Sequence, residues 1–245
     1  MKEVIEIVRN IMLRKVKKIE REHIIRFNFV NCPDQFVATI TVGSEDIPSV
    51  KFDKKVEVKN SENDTKGTAY YYERISVDDY TPDKTENIII VILESPHNDE
   101  YCKEHGEKIP KGPAYGKTGA NFNKYFLLLL RNAIIDKKIV LKSGHYEIIF
   151  MNGIQYQCSL GDTTSKYRDE FFLNCWDNDK CKEDFKERLK RYVSLGKDCV
   201  VINCCTKGKK NLQKMVHDEI QDVCRDVPTY LCTHPCSWFV PDIHS

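Results

Sequence analysis

The hydrophobic and polar positions change their period along the chain. Between residues 3 and 21, apolar residues recur at helical spacing with charged residues between them, which predicts an amphipathic N-terminal helix. From about residue 23 to residue 78, short segments alternate apolar and polar positions between turn residues, which predicts an antiparallel β-meander with one polar face. Residues 81–87 are polar and carry a proline, so we predict a linker there.

After this linker, continuous apolar runs alternate with amphipathic segments. The predicted strands cover residues 88–93, 146–151, 199–204 and 229–233, and the predicted helices cover residues 122–136, 179–195 and 210–224. Such alternation is typical of an α/β fold, and we predict a three-layer sandwich with a mainly parallel central sheet. The sequence thus divides into an N-terminal helix and β-rich appendage, residues 1–80, and an α/β domain, residues 87–245.

Composition narrows the functional classes only slightly. With 41% hydrophobic and 31% charged residues among 245, the chain has the composition of a folded protein and not of a disordered one. A net charge of +1 does not indicate nucleic acid, but it leaves room for a local basic face. Charged residues interrupt every apolar stretch, and Glu3 and Glu6 stand where a signal peptide needs basic and apolar residues. We therefore expect no membrane partner and a cytoplasmic location.

Eleven cysteines raise the question of disulfides or metal. Their number is odd, no Cys-x-x-Cys pair occurs, and many stand within apolar runs, which favours buried, reduced thiols. His97, Cys102 and His105 have a loose zinc-ligand spacing, but a convincing fourth ligand is missing. We expect neither a metal nor another cofactor.

Residues suited to chemistry stand at the ends of three predicted strands. Glu94 follows the first apolar run, Asn152 ends the second, and His234 follows the last. Because ligands of open α/β sheets bind beyond the carboxyl ends of the strands, we expect a carboxylate, an amide and an imidazole in one pocket. A glycine-rich loop over residues 111–122 opens a predicted helix and would suit a phosphate.

In order, these segments resemble the motifs of the uracil-DNA glycosylase superfamily. Residues 93–97 (Leu-Glu-Ser-Pro-His) resemble its first motif, most closely the Gly-Glu-Ala-Pro-Gly form of the iron–sulfur branch, and residues 112–122 are similar to the segment that follows. Residues 150–153 (Phe-Met-Asn-Gly) resemble the strand whose Asn binds the flipped base. Residues 233–238 (Thr-His-Pro-Cys-Ser-Trp) resemble the His-Pro-Ser-Pro-Leu motif, which supplies the catalytic His and the DNA wedge. The resemblance covers residues 87–240.

The resemblance implies a uracil-DNA glycosylase-like fold and a monofunctional DNA glycosylase that flips a base and hydrolyses its N-glycosidic bond. Glu94 would position water or stabilise the sugar cation, and His234 would stabilise the departing base. The implied substrate-binding residues are Ser95, His97, Asn152 as the base reader, and Tyr115 or Phe122 as a stacking ring. The implied DNA-binding residues are Gly116, Lys117, Lys207, Lys209, Lys210, Ser237 and, as the wedge, Trp238.

Departures from the family pattern bear on the substrate. Ser95 replaces the Asp of the best-known branch, so activation of water would fall to Glu94. His97 stands where relatives carry Tyr or Gly, which favours a modified or damaged base over uracil, and some relatives act in antiviral defence against phage with modified DNA. Cys158 and Cys175 fall near only two of the four cluster ligands, so we expect no iron–sulfur cluster.

Two other functions remain open at this point. A protein that keeps the fold but has lost catalysis would bind DNA without cleaving it, and Ser95 favours this alternative. A hydrolase of free nucleosides or nucleotides would not need a wedge at Trp238. Structural roles are also open: Glu94 and His234 can bind each other, Trp238 can pack in the core, and the lysines near residue 210 can be a solvated helix start.

Overall fold

The computed structural model describes Glu6, Asn10 and residues 30–238, apart from residues 46–47, 59–71, 81, 83–85, 106 and 159–163. Within these ranges the strands are β1 (Gln35–Val42), β2 (Val50–Lys54), β3 (Ile75–Ser76), β4 (Asn87–Leu93), β5 (Tyr101–Glu104), β6 (Glu107–Pro110), β7 (Gly144–Asn152), β8 (Cys199–Asn203) and β9 (Thr229–Leu231). The helices are α1 (Lys117–Ile135), α2 (Thr164–Trp176), α3 (Asp179–Val193) and α4 (Leu212–Val223). Short 3₁₀ turns cover Asn98–Glu100 and Pro235–Ser237. The predicted helix over residues 3–21 lies outside the described residues, Glu6 and Asn10 excepted.

A seven-stranded mixed sheet connects the two predicted parts of the chain. Its order is β2-β1-β7-β4-β8-β9, and β3 pairs with β1. Strands β7, β4, β8 and β9 are parallel, whereas β1 is antiparallel to β2, β3 and β7. The predicted α/β class is confirmed. The sequence predicts a boundary near residue 80, but strands from both sides of it belong to one sheet. Strand β1 pairs with β7 and so covers an edge of β7 that would otherwise be unpaired.

The central strand explains the layering. All seven residues of β4 are buried, as expected for a parallel strand that is covered on both faces. Ile88, Ile90 and Ile92 pack with apolar residues of α2, α3 and α4. Ile89 and Val91 pack on the opposite face with apolar residues of α1. Helices therefore flank the sheet on both sides, an arrangement compatible with a three-layer sandwich.

Three elements of the structure were not predicted from the sequence. Helix α2 was not predicted, because its described apolar residues crowd at its C-terminal end, residues 171–176, and do not follow helical spacing. Strands β5 and β6 form a separate hairpin that was not predicted either, since two of the four residues in each strand are charged. None of the helices in the described ranges has the length and apolar character that a membrane crossing requires.

The connections between strands determine where a ligand can bind. From β4 the chain passes through α1 to β7, on one side of β4. From β7 it passes through α2 and α3 to β8, on the other side, and then through α4 to β9. The strand order thus reverses between β4 and β8, and in open α/β sheets the crevice at such a point, beyond the carboxyl ends of the strands, is the usual ligand site.

Candidate active site

A cavity of about 500 Å³ lies at the carboxyl ends of β4, β8 and β9. Residues that follow each of these strands line it: Glu94 after β4, Thr206 after β8 and His234 after β9. The start of α1 and Arg168 of α2 complete its wall. Of the site residues expected from the sequence, the lining contains Glu94, Ser95, His97, Gly116, Lys117, His234 and Ser237.

Glu94 and His234 form an ion pair in this cavity. Glu94 Oε2 lies 3.4 Å from His234 Nε2 and accepts a hydrogen bond from the Thr206 backbone N–H at 3.2 Å. Burial alone would lower the pKa of His234, but the Glu94 carboxylate and Cys236 outweigh it and raise that pKa to about 9. When the imidazole is neutral, its Nδ1 accepts the Cys236 backbone N–H at 3.2 Å, so the remaining proton is on Nε2 and faces Glu94.

The segment that carries His234 is anchored to α1. His234 caps the 3₁₀ turn Pro235–Ser237, and Asn121 of α1 donates hydrogen bonds to the carbonyls of Pro235 and Cys236, at 2.9 and 3.2 Å. Thr118 Oγ1 lies 2.9 Å from Cys236 Sγ. These contacts fix the imidazole opposite the end of β4. The sequence motif indicated His234 but not Cys236, although Cys236 also lines the cavity.

The turn after β4 is held by a carboxyl group that the sequence analysis missed. Glu100 Oε1 accepts the Ala114 N–H at 2.7 Å, and its Oε2 accepts the His97 N–H at 3.2 Å. Burial raises the pKa of Glu100 to about 8. The spacing from the capping residue His97 to Glu100 is that of a capping box, which is the sequence signal for this contact.

The start of α1 does not offer a free site for phosphate. Asp99 packs against Gly116, the N-cap residue of the helix, so closely that a Cβ at Gly116 would lie 2.9 Å from Asp99 Oδ2. A carboxylate beside a helix N-terminus already interacts favourably with its N–H groups and dipole. The phosphate expected from the glycine-rich loop would have to displace or share this position. Lys117 lines the cavity next to it.

Asn152 ends β7, the strand beside β4, but it is fully buried and does not line the cavity. It pairs with Leu93 across β7 and β4, and it is 0% exposed. Its amide oxygen and nitrogen have no hydrogen-bond partner among the described residues, and the same is true of Ser95 Oγ. The backbone of Asn152 is fixed, because its N–H donates to Asp34 at 3.0 Å and its carbonyl accepts from Arg188 at 3.1 Å.

The aromatic residues expected at the site pack elsewhere. Phe122 is 0% exposed and stacks on Phe126 with ring centroids 4.2 Å apart. Trp238 is 7% exposed, packs on the same pair of rings, and donates from Nε1 to the Thr233 carbonyl at 2.8 Å. Tyr115 lies under the Arg74 guanidinium, 5.2 Å from its ring centroid. None of the expected rings Tyr115, Phe122 and Trp238 lines the cavity, and the structure places Phe122 and Trp238 in the core instead of in stacking or wedge positions.

Of the basic residues expected to bind DNA, Lys117 lines the cavity, whereas Lys207, Lys209 and Lys210 lie beside it. Lys207, Lys209 and Lys210 are exposed in the connection between β8 and α4, which begins with the cavity residue Thr206. The Lys209 backbone N–H donates to Asp169 at 2.6 Å, which fixes this connection to α2.

The structure describes all the cysteines, and also His97 and His105, whose spacing with Cys102 had raised the question of zinc. All eleven cysteines are free thiols, and seven of them are buried. In the described ranges no three His, Cys, Asp or Glu side chains are grouped in a way that could hold a metal ion. His97 Nδ1 instead accepts the Asp99 N–H at 3.2 Å, and Cys102 Sγ lies 3.4 Å from Glu104.

Comparisons with protein-family models, curated proteins and solved structures give no match to this chain. Fold and site together define an α/β protein with a carboxylate–imidazole pair in a cavity at the switch point of its sheet. Any finer assignment depends on the four sequence motifs and on the chemistry of this pair.

Proposed function

We propose that the chain is a monofunctional DNA glycosylase that hydrolyses the N-glycosidic bond of a modified or damaged base and leaves an abasic site. The observation that carries the proposal is the Glu94–His234 pair, with 3.4 Å between Oε2 and Nε2, in an open cavity at the switch point. Breaking an N-glycosidic bond develops positive charge on the sugar and negative charge on the base. A carboxylate and an imidazolium supply the two opposite charges, and the order of the motifs supports the same reaction.

Base recognition by Asn152 is supported by its unpartnered amide. A buried polar group without a partner costs about 1–3 kcal/mol, and such groups in folded proteins commonly bind water or a ligand. The donor and acceptor of Asn152 match the Watson–Crick edge of a base, and Ser95 Oγ offers a further contact. Because Asn152 is 0% exposed, a base reaches it only after a rearrangement that exposes this side chain.

Contacts to DNA phosphates would come from Lys117 in the cavity wall and from Lys207, Lys209 and Lys210 on the neighbouring connection. Their contribution would fall with salt, as for any phosphate contact. A role in defence against phage with modified DNA fits the departure at His97 and belongs to the same proposal.

A hydrolase of free nucleosides or nucleotides is the second candidate, and the position of Trp238 favours it. A glycosylase that opens duplex DNA needs a side chain to fill the vacated stack. Trp238 is buried against α1, and among the described residues that line the cavity there is no Phe, Tyr or Trp. A small substrate would need no wedge.

Mass-spectrometric detection of free base tests both candidates. The protein is incubated with uracil-containing, deaminated and alkylated DNA, with phage genomic DNA that contains modified cytosines, and with free nucleosides and nucleotides. We expect release from one DNA class, reduced about a hundredfold or more in Glu94→Gln and in His234→Ala. Matched controls are Glu104→Gln and His145→Ala, which alter an exposed carboxylate and an exposed imidazole outside the cavity.

The outcomes separate the alternatives. Release from DNA that is unchanged in both cavity variants would refute the assignment of Glu94 and His234. Release only from free nucleosides or nucleotides would establish the second candidate. Salt-sensitive DNA binding without any release would identify a binding protein that has lost catalysis.

A further inference from the structure

Two cysteines lie side by side at the ends of neighbouring strands. Strands β8 and β9 are parallel and pair Asn203 with Leu231, so the next residues of the two strands are Cys204 and Cys232. The Cys232 N–H donates to the Asn203 carbonyl at 2.9 Å, which extends the pairing past the last paired residues. Both side chains pack in the apolar cluster on the α1 face of the sheet, where each thiol shifts the pKa of the other.

This geometry is compatible with a disulfide. Neighbouring strands lie about 4.8 Å apart, and disulfides join Cα atoms about 4.4–6.8 Å apart. The two side chains point to the same face, so the bond requires only side-chain rotation and little backbone movement. Cys158 and Cys175 form a second pair of contacting thiols, on the opposite face of the sheet, but both are 0% exposed.

The two thiols differ in accessibility and in acidity. Cys232 is partly exposed and lines a cavity of about 200 Å³ on the α1 face, whereas Cys204 is 1% exposed. The interaction with the Cys204 thiol lowers the pKa of Cys232 to about 7 in spite of its burial. The same interaction, together with burial, raises the pKa of Cys204 well above its ordinary value. Cys232 therefore has the properties of an attacking thiol, and Cys204 those of a resolving one.

We propose that Cys204 and Cys232 form a peroxide-sensitive thiol pair that closes to a reversible disulfide. The Cys232 thiolate attacks one oxygen of a peroxide, the O–O bond breaks, and hydroxide leaves and takes up a proton to become water. This step gives a sulfenic acid at Cys232. The Cys204 sulfur then attacks the Cys232 sulfur, the S–O bond breaks, and the second water leaves with the Cys204 proton. Two thiols and one hydrogen peroxide become one disulfide and two waters.

The pair is connected to the cavity through the chain. Cys204 stands two residues before Thr206, whose N–H binds Glu94, and Cys232 stands two residues before His234. A bond between the two cysteines joins the segments that hold both members of the Glu94–His234 pair. For the proposed base release, and resting on that function, we expect oxidation to slow the reaction and a dithiol to restore it.

Differential alkylation tests the pair without reference to function. The wild-type protein is treated with hydrogen peroxide, quenched with catalase, denatured in iodoacetamide, reduced with dithiothreitol and labelled with N-ethylmaleimide before peptide mapping. We expect Cys204 and Cys232 to carry the second label at least about tenfold more than Cys158 and Cys175, because only the first pair has a reachable thiol. In Cys204→Ser, oxidation should stop at a sulfenic acid on Cys232, which dimedone traps.

Three results would overturn the proposal: no second label at Cys204 and Cys232, equal labelling of both pairs, or a disulfide from Cys232 to another cysteine. The principal measurement uses the wild-type protein, so the folding of a variant does not decide it. If the disulfide forms but neither redox state releases a base, the thiol pair stands and the proposed glycosylase function fails.

Discussion

The most direct test of the site is the effect of Glu94→Gln on the pKa of His234. The substitution removes the carboxylate that lies 3.4 Å from Nε2, but it keeps an oxygen that can accept the Thr206 N–H. Burial then lowers the pKa of His234 without the carboxylate that raises it most. We expect the pKa of His234 to fall from about 9 to its ordinary value of 6.5 or below.

The magnitude follows from these two values. The difference between about 9 and 6.5 corresponds to about 3 kcal/mol in favour of the protonated imidazole, at about 1.4 kcal/mol for each pH unit. Because the pKa of the folded state lies above that of the unfolded state, this stabilisation is fully present below about pH 6.5. It is lost as the pH rises through about 9. Wild type and Glu94→Gln should therefore differ by about 3 kcal/mol in the free energy of unfolding near pH 6, and by little near pH 10.

Two measurements check this expectation. NMR titration of the histidine ring resonances, assigned with His234→Ala, gives the pKa directly, and urea unfolding at several pH values gives the stability difference. Asp99→Asn is the matched control, because it removes a carboxylate from the same cavity that faces His97 and not His234. An unchanged pKa of His234 in Glu94→Gln, or an equal decrease in Asp99→Asn, would refute the pairing.

Further predictions concern groups that hold the site in place. Arg188 pairs with Asp34 at 2.5 Å and with the more exposed Asp184 at 2.9 Å; Asp34→Ala removes the fully buried carboxylate and should lower the free energy of unfolding by about 3–5 kcal/mol, measured with urea. Glu100→Gln should remove a contribution to stability that is complete below about pH 4.5 and lost as the pH rises through about 8, seen as a flatter dependence of unfolding on pH. Trp238→Ala should cost about 3–5 kcal/mol, whereas Trp238→Phe should lose mainly the hydrogen bond to Thr233; equal melting temperatures for both would contradict the core position.

The strands of the central sheet were predictable because their environment leaves a simple pattern. A strand covered on both faces must be apolar throughout, and β4, β7 and β8 each contain such a run. The β1–β7 pairing was not predictable, since the alternation of apolar and polar residues in β1 predicts a strand but does not indicate which strand it pairs with. Helix α2 left no periodic signal, because contacts of its C-terminal end with the core, and not an apolar stripe, hold it in place.

The part of the site formed by side chains that follow the strands could be predicted from the sequence. Glu94 and His234 could be brought together from the sequence, because parallel strands align their carboxyl ends. The hydrogen bond from Thr206 to Glu94 was not predictable, since its donor is a backbone N–H, which nearly every residue type has. The positions of Phe122 and Trp238 could not be predicted, because an aromatic residue in the sequence can serve equally well in a cavity wall or in the core.

Three of the carboxyl groups that line the cavity belong to Glu94, Asp99 and Glu100, and their contacts separate their roles. Both oxygens of Glu100 accept backbone N–H groups, so this residue holds the turn after β4. The Asp99 side chain is 40% exposed and lies against the start of α1, where water screens its charge. Only Glu94 is both buried and paired with a cation, His234. A substrate that gains from both charges must therefore contact both side chains, and its leaving group must be one that His234 can stabilise as an anion. A nucleobase meets that demand, because the negative charge that it gains as it leaves can be stabilised by the imidazolium.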